Sequence, residues 1–155
     1  MNARRRLLAS ASAAGALLAL TACEKPAPIV TVVSGGQSAY TEAATWCFEG
    51  QTPPDCAERE TEVTEIPVRA GETVGVDVDK ELADGGWQVQ LIDAAQPDRP
   101  LLTSEPQKEN HYYAFDLPEL PSGTTLQLTV QALTEQGQPG RGQWEFQLRP
   151  RTEPR

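Results

Sequence analysis

Apolar and polar residues alternate along most of the chain after residue 28. The alternation is clearest in four segments, whose apolar members are Val74, Val76 and Val78; Trp87, Val89 and Leu91; Leu126, Leu128, Val130 and Ala132; and Trp144, Phe146 and Leu148. A period of two residues is typical of β-strands with one buried face. Further strands are predicted at residues 29–33, 39–48, 61–68, 101–104 and 112–116, and no segment has an apolar stripe at helical spacing.

Turn-forming sequences separate these segments, among them SGGQ at 34–37, ADGG at 83–86 and EQGQPGRG at 135–142. Short strands with a turn about every ten residues indicate an all-β fold. We predict an antiparallel, immunoglobulin-like two-sheet sandwich of about seven to eight strands over residues 29–149, with a small β-barrel as the alternative. Trp87 and Trp144 are in phase with aliphatic neighbours, which favours core positions over an exposed ligand platform.

The first 22 residues have the pattern of a signal peptide. Arg4, Arg5 and Arg6 precede an apolar stretch of 14 residues at 7–20, which is shorter than the roughly 20 residues of a membrane-spanning helix. The arginines are compatible with either general secretion or twin-arginine export, and the sequence leaves that choice open.

The tetrapeptide LTAC at residues 20–23 closely resembles the lipobox of bacterial lipoproteins. That resemblance implies cleavage before Cys23 and attachment of lipid to its sulfur, and several acyl chains would hold the protein stably at a membrane. An ordinary secretory signal with a chance cysteine is the alternative. Residues 24–28, EKPAP, are expected to form an extended tether, and residues 150–155 a disordered tail.

Removal of residues 1–22 takes away three arginines and no acid, which changes the formal net charge from −9 to −12. An acidic chain with no basic stripe argues against nucleic-acid binding. Cys47 and Cys56 remain once Cys23 is assigned to lipid. Two cysteines nine positions apart in an exported chain favour a local disulfide, whereas zinc would need more ligands than the single histidine, His111, provides.

The segment DVDKELADGG at residues 77–86 begins like a calcium-binding loop. Asp77, Asp79 and Asp84 are its candidate metal ligands, but the loop has Leu82 where such a loop needs glycine. An acidic connection without a metal is the alternative. Elsewhere no nucleophile motif accompanies His111 and no carboxylate pair stands out, so we expect no catalytic residues and no cofactor.

Three segments, EKPAPIVTVVSGG, YTEAATWC and VDKELADGGW, following a lipobox, resemble an uncharacterised family of actinobacterial lipoproteins, domain of unknown function 2771. The matching residues are Lys25, Pro26, Pro28, Thr31, Val32, Thr41, Glu42, Ala43, Cys47, Val78, Asp79, Glu81, Ala83, Asp84, Gly86, Trp87, Trp144 and Phe146. The resemblance implies a small envelope lipoprotein and carries over no activity or substrate.

We therefore expect a noncatalytic binding or assembly module, held by lipid on the extracytoplasmic face of the cell membrane. Its expected partner is another envelope protein or the cell wall. The alternative is a calcium-dependent envelope factor or hydrolase that uses the carboxylates of residues 77–84.

Overall fold

The computed structural model describes residues 25–48, 51, 55–119 and 123–151, and this part of the chain forms two β-sheets and one short helix. The elements are β1 (Ile29–Ser34), β2 (Gln37–Glu42), β3 (Thr45–Trp46), β4 (Ala57–Glu58), β5 (Thr64–Val68), β6 (Thr73–Val78), α1 (Lys80–Gly85), β7 (Trp87–Asp93), β8 (Pro100–Thr103), β9 (Tyr112–Asp116), β10 (Leu126–Leu133) and β11 (Pro139–Pro150). The predicted all-β sandwich is confirmed. The barrel alternative is wrong, because the two sheets do not close on each other.

One sheet has four strands in the order β2-β1-β6-β9. The other has the order β4-β3-β11-β10-β7-β8, and β5 lies beside β11 in parallel, whereas the remaining pairs are antiparallel. Strand β11 is long enough to pair with β3 near its start and with β5 near its end along the same edge. The described residues form eleven strands, more than predicted, partly because the expected strand at 39–48 is divided into β2 and β3.

The core lies between the sheets and is made of the residues that the alternation marks as inward-facing. Trp87, Trp144 and Phe146 have no exposed surface, so the prediction of two core tryptophans is confirmed. A third tryptophan, Trp46, is also buried, with its ring 5.6 Å from that of Trp144. Burial of these large side chains supplies much of the apolar area that stabilises the sandwich.

Helix α1 was not predicted from the sequence. Asp79 begins it by accepting a hydrogen bond from the Leu82 backbone N–H at 3.1 Å, and Gly86 ends it at a φ of 93°. Leu82 and Ala83 are its buried residues. A helix of six residues has too few turns to show a repeating apolar stripe, which is why periodicity does not reveal it.

Described residues on both sides of the predicted domain, residues 29–149, also contact the sandwich. Ala27 is 6% exposed, and the Trp144 indole donates a hydrogen bond to the Pro28 carbonyl at 2.8 Å, so the end of the expected tether is part of the domain. At the other terminus the Arg151 backbone N–H donates to the Val68 carbonyl at 2.8 Å.

The predicted signal peptide, Cys23, and residues 152–155 of the predicted disordered tail lie outside the described residues. Within the described ranges, no helix is long and apolar enough to cross a membrane.

Candidate functional site

The sandwich has two ends because its strands run nearly along one direction. Residues 25–28, helix α1, the segment 105–111 and the turn at 134–138 lie at one end, which we call the helix end. The turns at 35–36 and 69–72 and the connection at 94–99 lie at the opposite end, which we call the far end. The antiparallel pairing fixes this division, since each strand begins where its partner finishes.

An ionic cluster occupies the helix end, with the Glu81 carboxylate at its centre. Glu81 contacts the Lys25 ammonium at 2.6 Å and the Arg141 guanidinium at 3.2 Å. The Arg141 guanidinium also lies 4.6 Å from the ring centre of Trp46, in a cation–π contact. The cluster therefore connects the N-terminal segment, α1, β3 and β11. It borders an open depression lined by Lys25, Lys80, Glu81, Asp84, Gly85 and Arg141.

The structure gives separate environments to the three candidate metal ligands. Asp77 is exposed on the outer face of β6, Asp79 is used as the N-cap of α1, and Asp84 pairs with Lys80 at 2.5 Å. Among the described residues, no group of three or more His, Cys, Asp or Glu side chains is placed so that it could hold a metal ion. The chain turns from a strand into a helix between Asp77 and Lys80, and this change separates side chains that are close in sequence.

The outer surface of the four-stranded sheet carries a row of side chains from all four strands. Tyr40, Thr31, Asp77 and Tyr112 are successive cross-strand partners, one each from β2, β1, β6 and β9. Tyr40 is 70% exposed and Tyr112 is 47% exposed, so both rings are accessible to a partner. We call this surface the tyrosine face.

Gly75 determines how Tyr112 lies on the tyrosine face. A Cβ atom at Gly75 would collide with the Tyr112 ring and its hydroxyl, so the ring rests over the backbone of β6 where the side chain is missing. Sequence reasoning did not identify this surface. Period-two alternation marks Tyr40 and Tyr112 as outward-facing, but only the strand pairing places them in one row.

Cys47 and Cys56 form a disulfide, as predicted. The bridge lies beside the short β3–β4 pair, and the Cys47 backbone N–H donates to the Arg141 carbonyl at 2.8 Å. It therefore holds the edge of the larger sheet next to the ionic cluster. Residues 49–50 and 52–54 of the bridged loop lie outside the described residues. His111 is exposed, as expected, with its Nδ1 3.1 Å from the Val78 carbonyl oxygen.

A second polar cluster, at the far end, surrounds Glu72. Its carboxylate accepts hydrogen bonds from the Ser34 hydroxyl and the Arg69 backbone N–H, each at 3.0 Å. Partial burial acts to raise the pKa of Glu72, but these hydrogen bonds and the positive charges of Arg151 and Arg69 outweigh it and lower the pKa from its ordinary value. Gly35 has a φ of 53°, and a Cβ there would collide with the Glu72 carboxylate.

Comparison with known proteins gives a family and one structural likeness. The family model described as "Protein of unknown function (DUF2771)" matches residues 23–136. No protein with a curated description matches the chain significantly. The crystal structure of the PmoD soluble domain from Methylocystis sp. (Rockwell) is similar with a TM-score of 0.43 and 15% sequence identity, covering 77% of this chain and 90% of that one. No functional argument follows from a likeness at this level.

Proposed function

The chain belongs to the DUF2771 family of proteins of unknown function, and we propose that it is a membrane-anchored envelope lipoprotein whose sandwich is a noncatalytic binding module. The proposal has two parts. The first is the lipid anchor at Cys23, supported by the LTAC sequence at residues 20–23 and the signal pattern before it. The second is a binding surface, supported by the tyrosine face.

Metabolic labelling with palmitate tests the anchor. Wild-type protein should incorporate label at Cys23 and fractionate with membranes on the extracytoplasmic side. The Cys23→Ala variant should lose the label, and it should be released or retained as uncleaved precursor. Labelling that survives Cys23→Ala would contradict the anchor.

The observation that carries the binding function is the exposure of two tyrosines in one cross-strand row. Tyrosine is enriched at protein interfaces because its ring buries a large area at a low cost in conformational entropy and its hydroxyl forms hydrogen bonds. Thr31 and Asp77 lie between the rings and add a hydroxyl and a carboxylate. Such a surface is suited to contact with a protein or a cell-wall polymer, which are the two partner classes we propose.

A photo-crosslinking amino acid at position 40 tests this surface in intact cells of the native host. The matched control is the same amino acid at position 101, because Leu101 is also exposed but lies on β8 at the edge of the other sheet. We expect discrete adducts at position 40 that Tyr112→Ala weakens, and none at position 101. Equal crosslinking at the two positions, or none at position 40, would contradict the tyrosine face as the binding surface.

A further inference from the structure

We infer that the helix end of the sandwich rests against the lipid headgroup layer, with the strands directed away from the membrane. This inference rests on the proposed lipid anchor at Cys23. It concerns a surface that the anchor alone does not specify, because a protein on a flexible tether can present any face to the bilayer.

The first step is that the chain is docked almost immediately after Cys23. Lys25 forms an ion pair with Glu81, Ala27 is buried, and the Pro28 carbonyl accepts the Trp144 hydrogen bond. Two residues span at most about 7 Å, so the Cα atom of Cys23 lies no farther than that from the Cα atom of Lys25. A free tether from Cys23 to Ile29 could span roughly 20 Å, so the domain could take many orientations relative to the membrane.

The second step is the chemistry of the surface that this short connection brings to the membrane. Three cations, Lys25, Lys80 and Arg141, line the depression at the helix end together with two carboxylates, Glu81 and Asp84. Each of these cations is paired with one of the carboxylates, and the helix end as a whole has more acidic than basic residues, so the short connection to Cys23, and not charge, determines the orientation.

This orientation defines where a partner can bind. Strand β11 has 12 residues and spans at most about 40 Å, so the far end lies no farther than about that distance from the turn at 134–138. Thr31, in the row of the tyrosine face, is only two positions along β1 from Ile29, which lies at the helix end. The tyrosine face is therefore roughly perpendicular to the bilayer, and its row of side chains lies close to the bilayer surface. A partner must approach from the side, within about 10 Å of the level of the helix end.

Fluorescence quenching tests the orientation on the processed, lipid-bearing protein. The protein is reconstituted into vesicles of phosphatidylethanolamine and phosphatidylglycerol that carry a nitroxide on the headgroup. A fluorescent amino acid replaces one exposed residue at a time, Lys80 or Gln138 at the helix end and Ala70 or Asp98 at the far end. Two positions at each end ensure that the result does not depend on the loss of the Lys80 charge.

We expect strong quenching at positions 80 and 138 and none at positions 70 and 98. Equal quenching at both ends, or stronger quenching at positions 70 and 98, would overturn the inference. The mass of the Cys23 peptide from the same preparation separates this result from failure of the anchor. Lipid on Cys23 with quenching at the far end refutes the orientation alone, whereas an unmodified Cys23 refutes the anchor on which it rests.

Discussion

Replacement of Phe146 by alanine should be among the most destabilising single changes in this domain. Phe146 has no exposed surface, and strands on both sides hold its backbone, with Leu128 of β10 opposite it on one side and Thr64 of β5 on the other. Pairing on two edges leaves little freedom for the chain to collapse into the space that the ring vacates. We therefore expect a loss of about 3 to 5 kcal/mol, from lost apolar burial and the remaining cavity.

The matched control is Glu145→Ala, one position away on the same strand. Glu145 is half-buried on the outer face, and its carboxylate accepts a hydrogen bond from the Gln143 side chain at 2.5 Å within β11. Loss of this local contact should change the free energy of unfolding by no more than about 0.5 kcal/mol. A shift of one residue thus exchanges a core position for a surface position.

Urea unfolding of the chain beginning at residue 24, with the disulfide intact, measures both variants. The three buried tryptophans report unfolding by fluorescence. If the slope of the unfolding free energy against urea concentration is the same for variant and wild type, both expose the same surface on unfolding. A loss of this size can unfold a domain whose total stability is about 5 to 15 kcal/mol. Phe146→Leu then gives a smaller, measurable loss in the same direction. If Glu145→Ala costs as much as Phe146→Ala, the assignment of inward and outward faces on β11 is wrong.

Four further changes test individual contacts. The double change Cys47→Ser and Cys56→Ser should lower the free energy of unfolding by about 2 to 3 kcal/mol through the freer unfolded chain, and unfolding that matches wild type would refute this. Glu72→Gln should destabilise the protein at neutral pH. The lowered pKa of Glu72 means that its ionised carboxylate is held more favourably in the folded than in the unfolded chain. This difference should disappear as the pH falls through the lowered pKa of Glu72 in the folded protein, and a constant difference across acid titration would refute it. Asp79→Ala should cost about 1 kcal/mol through loss of the helix cap, equally with calcium and with a chelator, and a calcium-dependent cost would instead support the metal hypothesis. Trp144→Phe should expose residues 25–28 to protease, since it removes the hydrogen bond to the N-terminal segment, and unchanged cleavage there would contradict that role.

The sequence by itself determined most of the strands, their inward-facing residues and the disulfide. Alternation with period two is a local property, so Trp87, Trp144 and Phe146 could be assigned to the core without knowledge of which strands pair. The two cysteines are close in sequence, so their bridge also required no long-range information. The sequence did not reveal α1, because six residues with two buried side chains produce no repeat.

The tertiary structure alone decided which surface residues meet. Tyr40 and Tyr112 are 72 positions apart in the sequence, and they share a row only because β1 and β6 pair between their strands. The N-terminal segment looked like a tether because charge and proline predict an extended chain, whereas contacts from distant residues, Glu81 and Trp144, dock it on the domain. Local composition cannot report such contacts, because pairing across the chain is set by the summed burial of all the strands.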